Sequence, residues 1–500
     1  KIYGATAGNG GTIRPGDRPD APGVSVDGND FRFDPATETF EAITGTVQFG
    51  NSFDDWGNRF VCSQGNPLEH VVLPRHYLAR NPYLPVPQAI HDIAGGRVPI
   101  FRISPIERWR HIRSSRRIAH GERDAQSTGA SHHVVDAAAG VTIYRGGAYP
   151  EAYYGNVFVG DAQNNLVHRR ILEPAGVTFD SRRGDEKAEF VRSSDNWFRP
   201  VNFVNAPDGT LYVLDMNREI LESIHIPSDV VKFLDLKSGR NTGRIYRMAP
   251  KEFRSPAPPR LSGAGTDELL AALESPHGWW RETAHRLIFE RQNMSFVDPL
   301  RRLLRENRRP QTRLHALWSL EGLGALADDD LLAAFHDARP EIREHAMRLS
   351  EARLENSPKL VEATLALVGD ANDRLRLQAA FSLGETRDPR GVDALTGIAR
   401  RDAGNSWIRT AVLSSSRESA DRMFVRIVSD QAFRQSETAL QLLEQLATVV
   451  GSRNRPEEVD RLLQSLSSEP GVKSRPDLQQ RLVRVLGEGV SAELLVSERW

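Results

Sequence analysis

The sequence predicts a multidomain β + α protein: the C-terminal blades of an N-terminally truncated β-propeller, followed by a HEAT-like α-solenoid. Three observations carry that expectation. A β-type pattern recurs through the first half, an arginine-centred helical pattern recurs through the second, and a stretch crowded with proline, serine and glycine lies between them. At roughly 150 residues per domain, a chain of this length has room for about three domains, or fewer where repeats fill it.

The β pattern is Gly-x-x-aromatic-Val-x-(Ser/Asp)-x4-(Leu/Ile). It fits Gly57, Phe60, Val61, Ser63 and Leu68, then Gly155, Phe158, Val159, Asp161 and Leu166, then Gly209, Tyr212, Val213, Asp215 and Ile220. Tyr3 and Thr6 read as the tail of an earlier copy. The aromatic positions are 57, 98 and 54 residues apart, a period near 55 with an insertion in the long gap. In the last copy Pro207-Asp208-Gly209 is a turn signal, Thr210–Leu214 is a strand with alternating faces, and Glu219–Ile226 is expected to form the next strand. Val201–Val204 before and Arg244–Tyr246 after complete four antiparallel strands, which is one blade. The β region is expected over 1–248. Its insertion, about 80–130, gathers Arg108, Arg110, Arg113, Arg116 and Arg117 behind Pro82, Pro85 and Pro87; a solvated loop and an anion-binding lid are both open.

Composition changes over Ala249–Thr266, read as a linker. From 267 to 500 the period is helical. Arg-x-x-Ala recurs at Arg281, Arg313, Arg343 and Arg376, with a weaker copy at Arg409, in steps of 32, 30, 33 and 33 residues. Apolar residues follow on one face, as in Leu314, Leu317, Trp318 and Leu320. Asp337 and Asp373 stand where a side chain caps the second helix of a repeat. The arginines are expected to form a ladder with acidic neighbours, and the concave face of the solenoid is the expected surface for a protein partner.

Composition excludes several classes. Lys plus Arg number 65 against 66 Asp plus Glu, so no overall field attracts nucleic acid. Only seven of the basic residues are Lys, leaving 58 Arg. No apolar run approaches the ~18 residues needed to cross a bilayer. Cys62 is the single cysteine, which excludes an internal disulfide and a CxxCH haem attachment, and its place in a strand marks it as a small buried hydrophobe. There is no Walker motif, GxSxG or HExxH. The chain begins at Lys1 without a leader and stops at Trp500 inside a helical run, so a fragment of a longer gene product is expected.

FGNSFDDWGNRFVCSQGNPLEHVVLP (Phe49–Pro74), YRGGAYPEAYYGNVFVGDAQNNLVHRRIL (Tyr144–Leu172), DNWFRPVNFVNAPDGTLYVLDMNREILE (Asp195–Glu222) and GRIYRM (Gly243–Met248) resemble the membrane-bound dehydrogenase family of planctomycete and verrucomicrobial bacteria. The resemblance covers the whole first half, and HEAT-like repeats after it match that family's usual order. It implies an exported, periplasmic or envelope-associated protein with a propeller related to quinoprotein sugar and sorbosone dehydrogenases. Such a protein oxidises a sugar or alcohol and passes electrons to a C-terminal cytochrome c segment. With no CxxCH here, haem c is not bound by this chain. The implied cofactors are pyrroloquinoline quinone and calcium. Related enzymes hold the quinone partly through an Arg-Asn-Pro-x-Gly motif; the nearest segment, Gln48–Ser52, lacks that Arg and Pro. Gln48, Asn51 and Arg59 are the candidate cofactor contacts.

Quinone-dependent oxidation needs a base for the hydroxyl proton and a cation for the reduced quinone. His132 or His133 is the candidate base and Arg199 the candidate cation, set against a His in a polar loop and an Arg that bridges blades. Oxygen-rich turns at Asp161, Gln163, Asn164 and Asn165 and at Asp215, Asn217 and Glu219 suit a hard cation, with Asp161, Asn164, Asn165 and Asp215 as candidate ligands; the same residues are common turn formers. Asp54-Asp55-Trp56 reads either as paired carboxylates or as a blade-edge turn. His285, His315 and His345 lack metal-ligand spacing. A second class of function stays open: a non-catalytic glycan- or protein-binding scaffold.

Overall fold

The computed structural model describes residues 1–86, 88–121, 133–222, 226–255 and 257–497, with side chains to 491. The strands, in chain order, are β1 (Ile2–Gly4), β2 (Thr12–Ile13), β3 (Val24–Ser25), β4 (Asp30–Asp34), β5 (Thr39–Ile43), β6 (Phe49–Phe53), β7 (Arg59–Ser63), β8 (Asn66–Val71), β9 (Ile90–Asp92), β10 (Ala138–Ile143), β11 (Val157–Asp161), β12 (Leu166–Ala175), β13 (Thr178–Arg183), β14 (Val191–Arg192), β15 (Pro200–Asn205), β16 (Leu211–Asp215) and β17 (Arg244–Met248). The helices are α1 (Arg75–Leu78), α2 (Arg108–Ala119), α3 (Ser228–Val231), α4 (Thr266–Leu273), α5 (Gly278–Arg291), α6 (Val297–Glu306), α7 (Pro310–Gly322), α8 (Asp328–Phe335), α9 (Pro340–Ser350), α10 (Pro358–Ala366), α11 (Asp373–Ser382), α12 (Arg390–Arg401), α13 (Ser406–Ser415), α14 (Ala420–Val428), α15 (Glu437–Arg453), α16 (Pro456–Ser468), α17 (Pro470–Lys473) and α18 (Pro476–Ser497). Two compact units result: Lys1–Val72 with Ile90–Pro299, and Leu73–Ala89 with Leu300–Trp500.

The first unit is β-rich and antiparallel. Its sheets run β1-β4-β5, β2-β3, β6-β7-β8-β9, β10-β11-β12-β13 with β14 also on β12, and β15-β16-β17. The sequence repeat lands on the second strand of the last three sheets. Gly57, Gly155 and Gly209 turn the chain into β7, β11 and β16 with φ of 74°, 79° and 84°, a region open to glycine. Alternate residues of a strand point to opposite faces, so β11 serves two cores. Phe158 packs with Tyr144, Phe198, Phe203 and Leu211, whereas Val159 packs with Phe60, Cys62, Val141 and Ile143.

The first strands of these sheets, β6, β10 and β15, neighbour one another in that order. Each has a register shift near its start, between Phe49 and Asn51, Ala139 and Thr142, and Pro200 and Asn202. Two positive-φ glycines allow the close approach. A Cβ on Gly50 would lie 2.6 Å from Val141 N, and one on Gly140 would lie 2.7 Å from Val201 O.

Two expectations need correction. The sheet after β14 has three strands, and the described part of Glu219–Ile226 contains none; Ile220 and Ile226 are buried against Trp109 instead, beyond a turn in which Asn217 has φ of 46°. The Arg-rich insertion is not one solvated loop: Leu73–Ala89 belongs to the second unit, and Arg108–Ala119 is a helix with Trp109, Arg110 and Arg113 buried. The first compact unit runs on past the Ala249–Thr266 stretch to Pro299, because α5 is tied into it. Arg281 Nη2 donates to Asp55 Oδ1 (2.5 Å) and Tyr154 Oη (2.9 Å), and Gly278 N donates to Arg145 O (2.9 Å).

The second unit is a two-layer helical solenoid. The helices α7, α9, α11, α13 and α15 pack successively in one layer, α8 packs on α10, and α12, α14 and α16 pack in series. The arginine ladder is present: Arg313 forks onto Asp337 (2.6 and 2.8 Å), Arg343 reaches Asp370 (3.0 Å), and Arg376 forks onto Asp402 (2.8 and 2.6 Å). Asp337 is thus part of the ladder, and the cap of α11 is Asn372, accepting from Arg374 N and Leu375 N, with Asp373 one residue inside. Among the described residues no helix is long and apolar enough to cross a membrane.

Candidate functional site

Where the bulged starts of β6, β10 and β15 converge, the first unit encloses a cavity of about 420 Å³. Gln48 and Phe49 come from the start of β6, Gln64 from the β7–β8 turn, and Ala137, Ala138 and Ala139 from the entry to β10. The small alanines leave the space that larger residues would fill. Ala162 and Gln163 follow β11, Arg199 and Val201 flank the start of β15, and Met216, Leu221 and Glu222 follow β16. One face of α2 closes the cavity with Trp109, Arg110 and Arg113. These positions fall within a little over one helical turn, so a single face presents all three.

A connected set of charges backs this wall. Arg110 donates through Nε to Glu107 Oε2 (2.9 Å) and through Nη1 to Gln163 Oε1 (2.5 Å). Gln163 Nε2 donates to Asp136 Oδ2 (3.0 Å), and Arg97 pairs with Asp136 at 2.9 Å. Both Arg110 and Arg113 lie over the Trp109 ring, at 4.4 and 5.4 Å from its centroid. Burial pushes the Arg110 guanidinium down to about 10; Arg199 and Arg113 add repulsion, against which Glu107 acts. Burial alone would raise the Glu107 carboxyl, but Arg110 and Arg199 hold it below its usual range. Asp136 is pushed up to about 6 by burial, with Asp161 adding to the rise and Arg97 opposing it.

Arg199 lines the cavity, yet its guanidinium is engaged throughout. Nη1 donates to Ala162 O (3.0 Å), Nε to Arg218 O (3.0 Å), and Nη2 to Glu219 O (2.7 Å) and Glu107 Oε1 (2.9 Å). It joins the β11–β12 turn to the segment after β16. His133 is exposed and does not line the cavity; its carbonyl accepts from Ile100 N. His132 lies outside the described residues.

The three candidate cofactor contacts separate. Gln48 lines the cavity and accepts from Gln64 N (3.3 Å). Asn51 and Arg59 do not line it: Asn51 Oδ1 accepts from Arg59 Nε (2.6 Å), and Arg59 reaches Asp30 Oδ2 (2.7 Å) and Thr44 O (2.5 Å), tying β7 to β4. A quinone in this cavity would meet Gln48, Arg110 and Arg113 rather than Asn51 or Arg59.

The candidate cation ligands also divide. Asp161 accepts from the backbone N of Asp136, Gln163 and Asn164 and from Asn164 Nδ2, and Asn164 Oδ1 accepts from Arg102, so these oxygens serve the turn. Asn165 and Asp215 bracket the Phe198–Arg199 peptide: Asn165 Nδ2 donates to Phe198 O (2.8 Å), and Asp215 Oδ1 accepts from Arg199 N (2.7 Å). Asp215 Oδ2, Asn165 Oδ1 and Asn217 Oδ1 are buried with no hydrogen-bond partner among the described residues. Each of those three oxygens is free to accept from a buried water or to bind a cation. Among the described residues, no three His, Cys, Asp or Glu side chains are grouped to hold a metal.

The sequence reading missed Trp109, Glu107 and the role of Gln163. The signal it passed over was the Trp109, Arg110 and Arg113 spacing, which is helical inside a segment otherwise read as loop. Asp55 proves to be neither half of a paired carboxylate site nor solvent-facing; Arg281 and Arg145 hold its carboxyl low against burial.

Residues 1–252 match a family described as a domain of unknown function (DUF7133), and residues 329–417 match HEAT repeats. No curated protein matches the chain. Among solved structures, a designed armadillo repeat protein is 17% identical over 45% of this chain and 100% of its own, with a TM-score of 0.22. A second engineered protein is 12% identical over 45% of this chain and 99% of its own, with a TM-score of 0.20.

Proposed function

The chain belongs to the DUF7133 family and carries HEAT repeats behind that domain, and from this premise we propose that its β-rich unit is part of a β-propeller that binds a sugar or related polyol in the cavity at its strand ends. Neighbouring first strands, cores shared between consecutive sheets and a repeat that falls on each second strand all support the propeller reading. The observation that carries the binding reading is the cavity itself. It combines an aromatic ring, three glutamines and arginine donors in about 420 Å³, a size and polarity suited to a monosaccharide. In this reading the protein acts in the periplasm or at the cell envelope, and the solenoid recruits a protein partner.

The oxidative alternative draws its support from the family resemblance: a quinone-dependent sugar or alcohol dehydrogenase passing electrons to a cytochrome c segment of the full-length protein. Bound quinone would supply the hydride acceptor. What favours binding over turnover is that Arg199, the candidate cation, is engaged in bridging. Calorimetric titration of the purified chain with monosaccharides tests the reading, alongside reduction of an artificial electron acceptor in the presence of pyrroloquinoline quinone and calcium. Saturable sugar binding without dye reduction is expected. Sugar-dependent dye reduction, or no binding of any sugar, would overturn it.

A further inference from the structure

We infer that the free edge of β17 is the docking strand for an extended acidic segment of a partner protein, which adds to the last sheet as a fourth strand. The two sheets before it each carry a fourth strand of their own, β9 laid on β8 and β13 on β12, both antiparallel. β17 pairs with β16 on one side, and no strand lies on its other side among the described residues. An unpaired strand edge is a row of backbone donors and acceptors that a second polypeptide can complete. Burial agrees: Arg244, Ile245, Tyr246 and Arg247 are all exposed, Ile245 at 69%. Apolar surface borders the edge on both faces. Ile245 stands on one, and Tyr246 and Met248 stand on the other, where they line a cavity of about 270 Å³ with Phe198 and Val213.

Charge, an independent observation, names the partner. Residues 232–260 hold eight Lys and Arg against Asp235 and Glu252, in a chain whose formal net charge is −1, and all eight are exposed. Lys237, Arg240 and Arg244 lead into the strand, and Arg247 and Lys251 follow. Arg247 is answered by Asp208 at 2.6 Å, and Asp215 and Asp195 act on Arg244 at longer range. Lys237, Arg240 and Lys251 form no ion pair among the described residues. A second copy of the chain would bring the same surplus against this one, so charge of one sign opposes edge-to-edge pairing of the chain with itself. A strand that alternates acidic and apolar side chains sets its acids beside Arg244 or Arg247 and its apolar residues on the opposite face. Nucleic acid would answer the charge but leave the backbone edge unpaired.

Fluorescence anisotropy of a labelled peptide of about eight residues alternating Val and Glu, titrated with the full chain, tests this. It should bind at low salt, and more weakly as NaCl rises from about 0.05 to about 0.5 M. Replacing two of its valines with proline keeps the charge and removes ladder donors, and should weaken binding about tenfold or more. The Val–Lys counterpart should not bind. Arg244→Glu should weaken the Val–Glu peptide, and the peptide series with the unaltered chain stands even if that variant does not fold. Equal binding of the proline-containing and uninterrupted peptides would show a surface for any polyanion and would overturn the inference. So would binding of the Val–Lys peptide as tight as that of Val–Glu, no binding of Val–Glu, or unchanged affinity in a folded Arg244→Glu variant. Self-association of the chain in sedimentation that Ile245→Asp abolishes would give the edge to a second copy, and would overturn it too. None of these outcomes bears on the sugar-binding reading.

Discussion

Asp136 shows how one buried side chain is held in a costly state by its neighbours. Its carboxyl is fully buried and pushed up to about 6, because burial and Asp161 oppose ionisation more strongly than Arg97 favours it. A folded value above the ordinary 3.8 means that folding favours the protonated form. The corresponding stability is complete below about pH 4, is lost as pH rises through about 6, and is absent at pH 7. Asp136→Asn keeps the shape and an oxygen to accept from Gln163 Nε2 while removing the charge. The variant is expected to be more stable than the parent at pH 7.5, by at most about 3 kcal/mol for a rise from 3.8 to about 6, and indistinguishable from it at pH 4. Urea unfolding at both pH values measures this; an equal effect at the two would show that Arg97 fully balances the charge. None of this was legible in the sequence. Asp136 belongs to no motif, and its partners Arg97, Asp161 and Gln163 are joined to it only by the fold.

At the scale of elements, regular spacing made the arginine ladder readable and irregular partners stayed hidden. Arg313, Arg343 and Arg376 recur at the repeat period, and each finds an Asp 24 to 27 residues later, so the pairing is a property of the repeat. The two-strand turn signals were legible for the same reason, since Gly57, Gly155 and Gly209 fill equivalent positive-φ positions. The strand expected over Glu219–Ile226 had the right apolar residues, but Ile220 and Ile226 pack against Trp109 of α2, a tertiary choice that local alternation cannot report. The ladder carries its own test. Arg376 is 4% exposed and forks onto Asp402, also buried at 8%, so Arg376→Ala strands a carboxylate and should cost about 3 kcal/mol or more. Arg387 pairs with Glu355 at 3.4 Å with its side chain 93% exposed, and Arg387→Ala should change stability by less than about 0.5 kcal/mol. Denaturant unfolding of the two variants should separate them; similar losses would mean that the ladder is no stronger than surface pairing.

Over the whole molecule, each unit is assembled from chain on both sides of the Ala249–Thr266 stretch. The β unit takes α4 and α5 from beyond it, anchored by Arg281 on Asp55 and Tyr154, with Arg145 paired to Glu282 (2.5 Å). The solenoid unit takes Leu73–Ala89 from before it: the Tyr77 ring stacks on Phe381 with centroids 4.2 Å apart, Tyr77 Oη donates to Glu351 (2.9 Å), and Asn81 Nδ2 donates to Leu413 O (2.8 Å). Arg281 fits the solenoid's sequence repeat, yet its acid is Asp55, 226 residues earlier, which is why the boundary could not be placed by periodicity. The described residues around Arg254 and Arg260 are mostly exposed and bear no strand or α-helix, so mild trypsin treatment should cut there first. The two pieces should nevertheless elute together from a sizing column, because two separate noncovalent joints still connect them. Each joint buries a charge pair or an aromatic stack, so loss of one leaves the other. Asp55→Ala or Tyr77→Ala alone should therefore preserve co-elution of the nicked chain, and the double variant should release the pieces. Separation of the nicked parent chain would show that neither joint holds without the covalent link.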